Sequence, residues 1–244
     1  MVHLKGTPIF EQLNLEEALL RTTEENWCVL NWKLPPAIVL GISGEKEQQI
    51  DMNRWMHSPI PIVRRYSGGG TVVVDEHTLC ASFIFQKAAF SFACYPESIL
   101  EWSYQFYQAA FALERFCLRG TDYTLSEHKC GGNAQYLQKN RFVHHTTFLW
   151  DFDEKMELLR YPPRVPTYRM GRSHREFLCC LKEYFLTPHQ LFSSIKRELS
   201  LRYLVQKVSY HSLNFPTSYR RSTRYEAISQ LDVRRGVQIL DNNL

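Results

Sequence analysis

Two short segments of this chain carry residue types suited to chemistry on an anion. The first is Arg64-Arg65-Tyr66-Ser67-Gly68-Gly69-Gly70-Thr71. Three consecutive glycines remove every Cβ from the turn, so a ligand can lie directly against its N–H groups. Two arginines beside such a turn put fixed positive charge where an anion would sit. The second segment is Lys129-Cys130-Gly131-Gly132-Asn133-Ala134, followed by Phe142-Val143-His144-His145-Thr146-Thr147. A lysine before a glycine pair can reach a carboxylate or phosphate lying on that backbone. Its compact ammonium suits oxygen charge that grows during acyl or phosphoryl transfer.

Other chemistries fit less well. Adjacent histidines on a strand point to opposite faces, so His144 and His145 are expected to divide between core and surface. No metal ligand is expected, because no Cys, His or carboxylate set near them has the needed spacing. The glycine run lacks the Gly-Lys-Ser/Thr of a Walker loop, and a dinucleotide fingerprint is absent. The seven cysteines form no CxxC pair and mostly sit among apolar residues. That pattern predicts buried free thiols in a reducing compartment.

The surrounding pattern supplies elements to hold these segments. Asn14 and Glu17 have the spacing of a capping box opening a helix with an apolar stripe through Leu15, Ala18 and Leu19. Strands are expected at Cys28–Trp32 and Ala37–Leu40, near 61–64 and 71–74, and at Leu79–Phe85. Gly41-Ile42-Ser43-Gly44 reads as a loop. From Pro96 to Cys117 the apolar spacing is helical, with Gly120 as the stop. Lys129–Arg141 reads as strand or turn with a hairpin tip at Lys139-Asn140, and Phe148–Trp150 as a buried strand. Pro162, Pro163 and Pro166 mark an extended linker. Thr187 caps a helix running towards Leu199. The arginine-containing tail from Ser218 reads as a poorly packed end.

At 244 residues and 44% hydrophobic content the chain can bury a substantial core. A net charge of +4 suits an anionic ligand or acidic partner but is too small to imply nucleic-acid binding. No run approaches the ~18 apolar residues of a membrane span, and the N-terminus lacks a signal-peptide core. A cytoplasmic protein without membrane association is expected.

In combination, the Arg64–Val72 segment, Lys129-x-x-Gly132-Asn133-Ala134 and His144-His145-Thr146 resemble the lipoate-protein ligase A family, and are similar to the biotin and lipoate A/B protein ligase catalytic domains. Phe10–Ala18 looks like the family's first helix, and the resemblance covers roughly residues 8 to 200. It implies an α+β fold of class II synthetase-like type: a mixed β-sheet with flanking helices. It also implies a catalytic domain over residues 1–200, with 201–244 as a C-terminal extension too short for a full accessory domain.

The activity so implied is a lipoate–protein ligase, which activates lipoate with ATP and Mg²⁺ to lipoyl-AMP and passes the lipoyl group to a lysine of a carrier domain. By this resemblance Lys129 is catalytic and bridges lipoate oxygen and phosphate. Arg65 and the backbone of Gly70, Thr71, Val72 and Val73 hold the adenylate. Ser67, Gly68, Gly69, Gly132 and Ala134 shape its pocket, and Leu15 and Val39 offer an apolar slot. Implied partners are lipoyl domains of 2-oxoacid dehydrogenase E2 subunits, the glycine-cleavage H protein, and a separate accessory-domain chain.

The chain departs from the family pattern at Val74-Asp75, Glu76–Cys80, Thr121-Asp122 and Gly41–Gly44. Two alternatives follow: a lipoyl or octanoyl transferase working from preformed lipoyl-AMP or an acyl carrier, and a non-catalytic lipoate- or carrier-binding protein. Among the thiols, Cys130 beside Lys129 is the nearest candidate for a thioester nucleophile.

Overall fold

The computed structural model describes residues 1–162, 164–216 and 219–227. In chain order its main elements are β1 (Val2–His3), α1 (Ile9–Thr22), β2 (Trp27–Trp32), β3 (Ala37–Leu40), α2 (Lys46–Gln49), α3 (Met52–His57), β4 (Ile62–Arg64), β5 (Val72–Val74) and β6 (Thr78–Gln86). There follow α4 (Pro96–Phe111), β7 (Phe116–Arg119), β8 (Asp122–Leu125), β9 (His128–Leu137), β10 (Arg141–Leu149), α5 (His174–Phe177), α6 (Pro188–Arg202) and β11 (Arg224–Tyr225). A seven-stranded sheet has the order β1-β2-β6-β10-β9-β8-β7, and a four-stranded sheet the order β11-β4-β3-β5. The first is antiparallel except at the β1–β2 edge. In the second, β3 and β4 are parallel. This is the expected α+β architecture.

The large sheet is covered on both sides, so its central strands β6 and β10 are buried at nearly every position, polar residues included. Phe83, Phe85, Phe142 and Phe148 on one face pack with Phe106 and Tyr107 of α4 and with Leu191, Phe192 and Ile195 of α6. The other face turns Ile84 and Val143 towards Leu13, Leu19 and Leu20 of α1 and towards Val39, Val63 and Val74 of the small sheet. A fully buried Phe such as Phe83 would cost about 3–5 kcal/mol if truncated to Ala.

Several sequence expectations change. Helix α1 starts after Pro8, whose φ of −54° presets the first turn. Asn14 and Glu17 therefore lie mid-helix and form no capping box. Helix α4 has Pro96 in its first turn but ends at Ala112, which takes a left-handed φ of 51°. The Phe116–Cys117 end of the expected helix instead pairs as β7 with β8. Gly120 turns that hairpin rather than stopping a helix. His144 and His145 do point to opposite faces, but both are buried, because β10 is central and both faces are covered.

The tail is also corrected over its described part. Residues 224–225 pair with β4, and Glu226 Oε1 and Oε2 accept from Arg64 Nε at 2.6 Å and Nη2 at 3.0 Å. The backbone N–H groups of Ser222 and Thr223 donate to the buried Glu17 carboxylate, which Arg21 also holds. Ser218 and Pro163 lie outside the described residues, as do 228–244.

Candidate functional site

The glycine loop leaves β4 and is shaped by its own arginine. Arg65 is 5% exposed. Its Nε donates to Ser67 Oγ at 3.1 Å, and its Nη2 donates to the carbonyls of Gly68 at 2.7 Å and Gly70 at 2.8 Å. Burial pulls its pKa down to about 10, so it stays charged at neutral pH. The guanidinium thus ties the loop to itself, and its positive charge lies beneath the turn rather than extended in front of it.

Gly69 needs its hydrogen side chain. Its φ is +101°, and a Cβ there would come within 2.8 Å of Arg65 Nη2 and 3.3 Å of Ala134 Cβ. Gly41 is as tightly held, since its Cβ would lie 2.2 Å from the Gly69 carbonyl oxygen. Arg64 Nη1 fastens this neighbouring loop by donating to the carbonyls of Gly41 and Gly44. Gly68 and Gly70 differ: a Cβ on either would meet no atom within 4 Å. These are the positions where a ligand can approach the loop backbone. The Thr71 hydroxyl bonds Gln49 of α2, while Val72 and Val73 continue into β5 opposite Val39 and Ile38.

The second segment forms β9. A register shift between Tyr123 and Thr124 places Lys129 opposite Thr124 and Gly131 opposite Tyr123. Bulges of this kind re-aim side chains. The Lys129 ammonium lies 2.7 Å from Asp122 Oδ1 and 3.2 Å from where a Gly132 Cβ would be. Asp122 Oδ2 accepts from the Tyr168 hydroxyl at 2.9 Å. Burial, then the Asp122 carboxylate, raises the Tyr168 phenol well above its ordinary range.

These two segments meet on one sheet face. Gly132 and Ala134 stand on the same side of β9, about 7 Å apart by strand geometry. Lys129 lies over the first and Gly69 packs on the second. Ala134 is opposite His145. His145 in turn reaches Ser67 of the loop, Nε2 to Oγ 2.9 Å, and Glu16 of α1, Nδ1 to Oε2 2.5 Å. Gly69 and Ala134 thus bring the glycine loop to within one pleat of Gly132 and Lys129, while Arg65 and Ser67 lie buried beneath the turn. Val73, Leu15 and Val39 are buried core residues.

Cys130 does not belong to this site. The residue is fully buried, and burial pushes its thiol well up, which disfavours a thiolate nucleophile. Among the described residues no group of three His, Cys, Asp or Glu is arranged to hold a metal ion. None of the described helices is long and apolar enough to cross a membrane.

Four site residues escaped the sequence reading: Glu16, His145 as a loop partner, Asp122 and Tyr168. Glu16 and Glu17 carry the clearest signal, as two acids inside an apolar helical stripe. Tyr168 lies in a proline-flanked segment without periodicity, and nothing local marks it.

Residues 8–199 match the lipoyl protein ligase A/B catalytic domain. A Plasmodium falciparum protein named inactive lipoate–protein ligase 2 is 28% identical over 84% of this chain. The chain spans 71% of that relative. It spans less than two thirds of several other curated relatives, among them a probable lipoate-protein ligase A of Mycoplasma pneumoniae, at 44% of its length. An archaeal bipartite lipoate protein ligase from Thermoplasma acidophilum, described with its E2 lipoyl domain, shares the fold. Its TM-score is 0.71 at 16% identity, covering 98% of this chain and 91% of that one. A lipoate-protein ligase A bound with ATP gives a TM-score of 0.69 at 16% identity, covering 98% and 92%. The loop, the lysine strand and the match across most of its length establish that this chain belongs to the lipoyl protein ligase A/B catalytic-domain family.

Proposed function

We propose that the chain is a lipoate–protein ligase working through lipoyl-AMP. In the first half-reaction a lipoate carboxylate oxygen attacks the α-phosphorus of ATP, and the bond to pyrophosphate breaks. In the second, a carrier lysine amine attacks the acyl carbon, AMP leaves, and the amine loses a proton. Both steps gather negative charge on oxygen and call for fixed donors. The observation that supports this reading is that Lys129 lies over Gly132 while Gly69 of the glycine loop packs on Ala134, two residues further along β9. Lys129 would neutralise the carboxylate–phosphate junction, and the loop N–H groups would hold the phosphate oxygens.

The described residues offer no carboxylate cage for Mg²⁺. Asp122, the acid paired with Lys129, is already committed to Lys129 and Tyr168. Magnesium would enter only with the ATP phosphates. The acceptors proposed are lipoyl domains of E2 subunits or the glycine-cleavage H protein, steered by the mild positive charge. A separate accessory chain could complete the activation step.

One observation favours a second reading, transfer from preformed lipoyl-AMP. The Arg65 guanidinium is spent on its own loop carbonyls, so less free cation faces a triphosphate. Lipoate-dependent exchange of pyrophosphate into ATP separates the two. Exchange supports the ligase. No exchange, with acceptor lipoylation from supplied lipoyl-AMP, supports the transferase.

A further inference from the structure

We infer that Glu16 and His145 are positioning residues: acting through Ser67, they hold the glycine loop in the form that presents its N–H groups to an acyl-adenylate. The functional half of this statement rests on the adenylate reading above.

Glu16 is completely buried on α1. Its Oε1 accepts from Ser82 Oγ at 2.6 Å and from Gln12 Nε2 at 2.8 Å. Gln12 is itself fixed, because its Oε1 accepts from Asn31 Nδ2 at 2.9 Å. Oε2 remains for His145 Nδ1, 2.5 Å away. A carboxylate can only accept, so Nδ1 carries a ring proton, and in the neutral ring Nε2 presents a lone pair. That lone pair faces Ser67 Oγ at 2.9 Å and accepts a hydrogen bond from its hydroxyl. The serine oxygen then accepts from Arg65 Nε at 3.1 Å.

Each group in this chain has one role left, and its neighbour fills it. Strand β10 and helix α1 carry regular backbone hydrogen bonds, whereas the loop is held largely by side chains. The chain transmits the fixed position of Glu16 into Ser67, and through Arg65 into the carbonyls of Gly68 and Gly70. The order serine–histidine–carboxylate is that of a hydrolase nucleophile. Attack is not its use here, because Ser67 has no exposed surface and its oxygen already accepts from Arg65.

Glu16→Gln tests the chain. Whichever way the new amide turns, its NH₂ meets a donor, Gln12 Nε2 on one side or His145 Nδ1 on the other. The second clash is relieved by moving the ring proton to Nε2, which costs Ser67 its acceptor. Long-range ¹H–¹⁵N spectra of histidine-labelled protein should show the Nδ1–H form of His145 in the wild type and the Nε2–H form in Glu16→Gln. Amide exchange at Gly68–Thr71 should be faster in Glu16→Gln and in Ser67→Ala. Each variant should bind a non-hydrolysable lipoyl-adenylate analogue about tenfold more weakly. The double variant should be no worse than either single one, since both cut the same chain.

An Nε2–H ring in the wild type, unchanged loop exchange, or losses that multiply in the double variant would overturn the inference. A wild type that binds no adenylate analogue would instead refute the adenylate reading. The spectra and loop exchange would still decide whether the chain positions the loop.

Discussion

Asp122 holds the Lys129 ammonium at 2.7 Å across the β8–β9 hairpin, and the Tyr168 hydroxyl holds Asp122 from the other side. The lysine is thereby aimed along β9 rather than left to sweep through solvent. Lys129→Ala should abolish acceptor lipoylation, with at least a hundredfold loss. Asp122→Asn keeps the charge but loosens its aim, and should cost about tenfold while leaving thermal stability nearly unchanged, because Lys129 can still reach water. Steady-state lipoylation rates check both. Wild-type rates in Asp122→Asn would show that the pairing plays no part.

The glycines divide into two kinds. Gly41→Ala drives a Cβ to 2.2 Å from a backbone oxygen and should cost about 2 kcal/mol of stability. Gly70→Ala meets no atom within 4 Å, so stability should hold within about 0.5 kcal/mol. Its new methyl would instead obstruct the ligand, raising KM for the adenylate. Denaturant unfolding and KM, measured on both variants, should move in opposite patterns.

These contrasts show what the sequence made legible. The glycine loop and the lysine strand stand out because their composition is unusual in a short window. Period-two and apolar runs located most strands. Contacts that join distant segments left no local mark. Arg65 read as a free cation because nothing in its neighbourhood reveals that its partners are carbonyls of its own turn. Arg64 and Glu226 are 162 residues apart, and that pairing turned an apparent tail into a strand.

The Arg64–Glu226 pair predicts acid sensitivity at the C-terminal strand. The Arg64 hydrogen bond holds the Glu226 carboxyl below its ordinary 4.5. A depressed acid stabilises the fold above its unfolded pKa, and that contribution is lost as pH falls through the folded value. Glu226→Gln should lower stability at neutral pH by about 1–2 kcal/mol and flatten the loss below about pH 4.5. Equal acid profiles for variant and wild type would contradict this.

His144 predicts a second acid window. Burial, with a smaller contribution from His145, lowers it to about 3, and its Nε2 lies 2.9 Å from the Tyr123 hydroxyl. The unfolded chain takes up this proton below about 6.5 while the folded chain resists it until about 3. Stability is therefore complete above the unfolded pKa and falls on acidification. The wild type should lose about 2 kcal/mol between pH 7 and pH 5 through this residue. His144→Gln should lose distinctly less in paired denaturant titrations.

The most direct test of the proposed adenylate site is the mass of a lipoyl domain after incubation with this protein. One arm supplies lipoate, ATP and Mg²⁺, and the other supplies lipoyl-AMP alone. The account predicts a lipoylated acceptor lysine with the wild type and none with Lys129→Ala. No modification in either arm, or equal modification by Lys129→Ala, would contradict it.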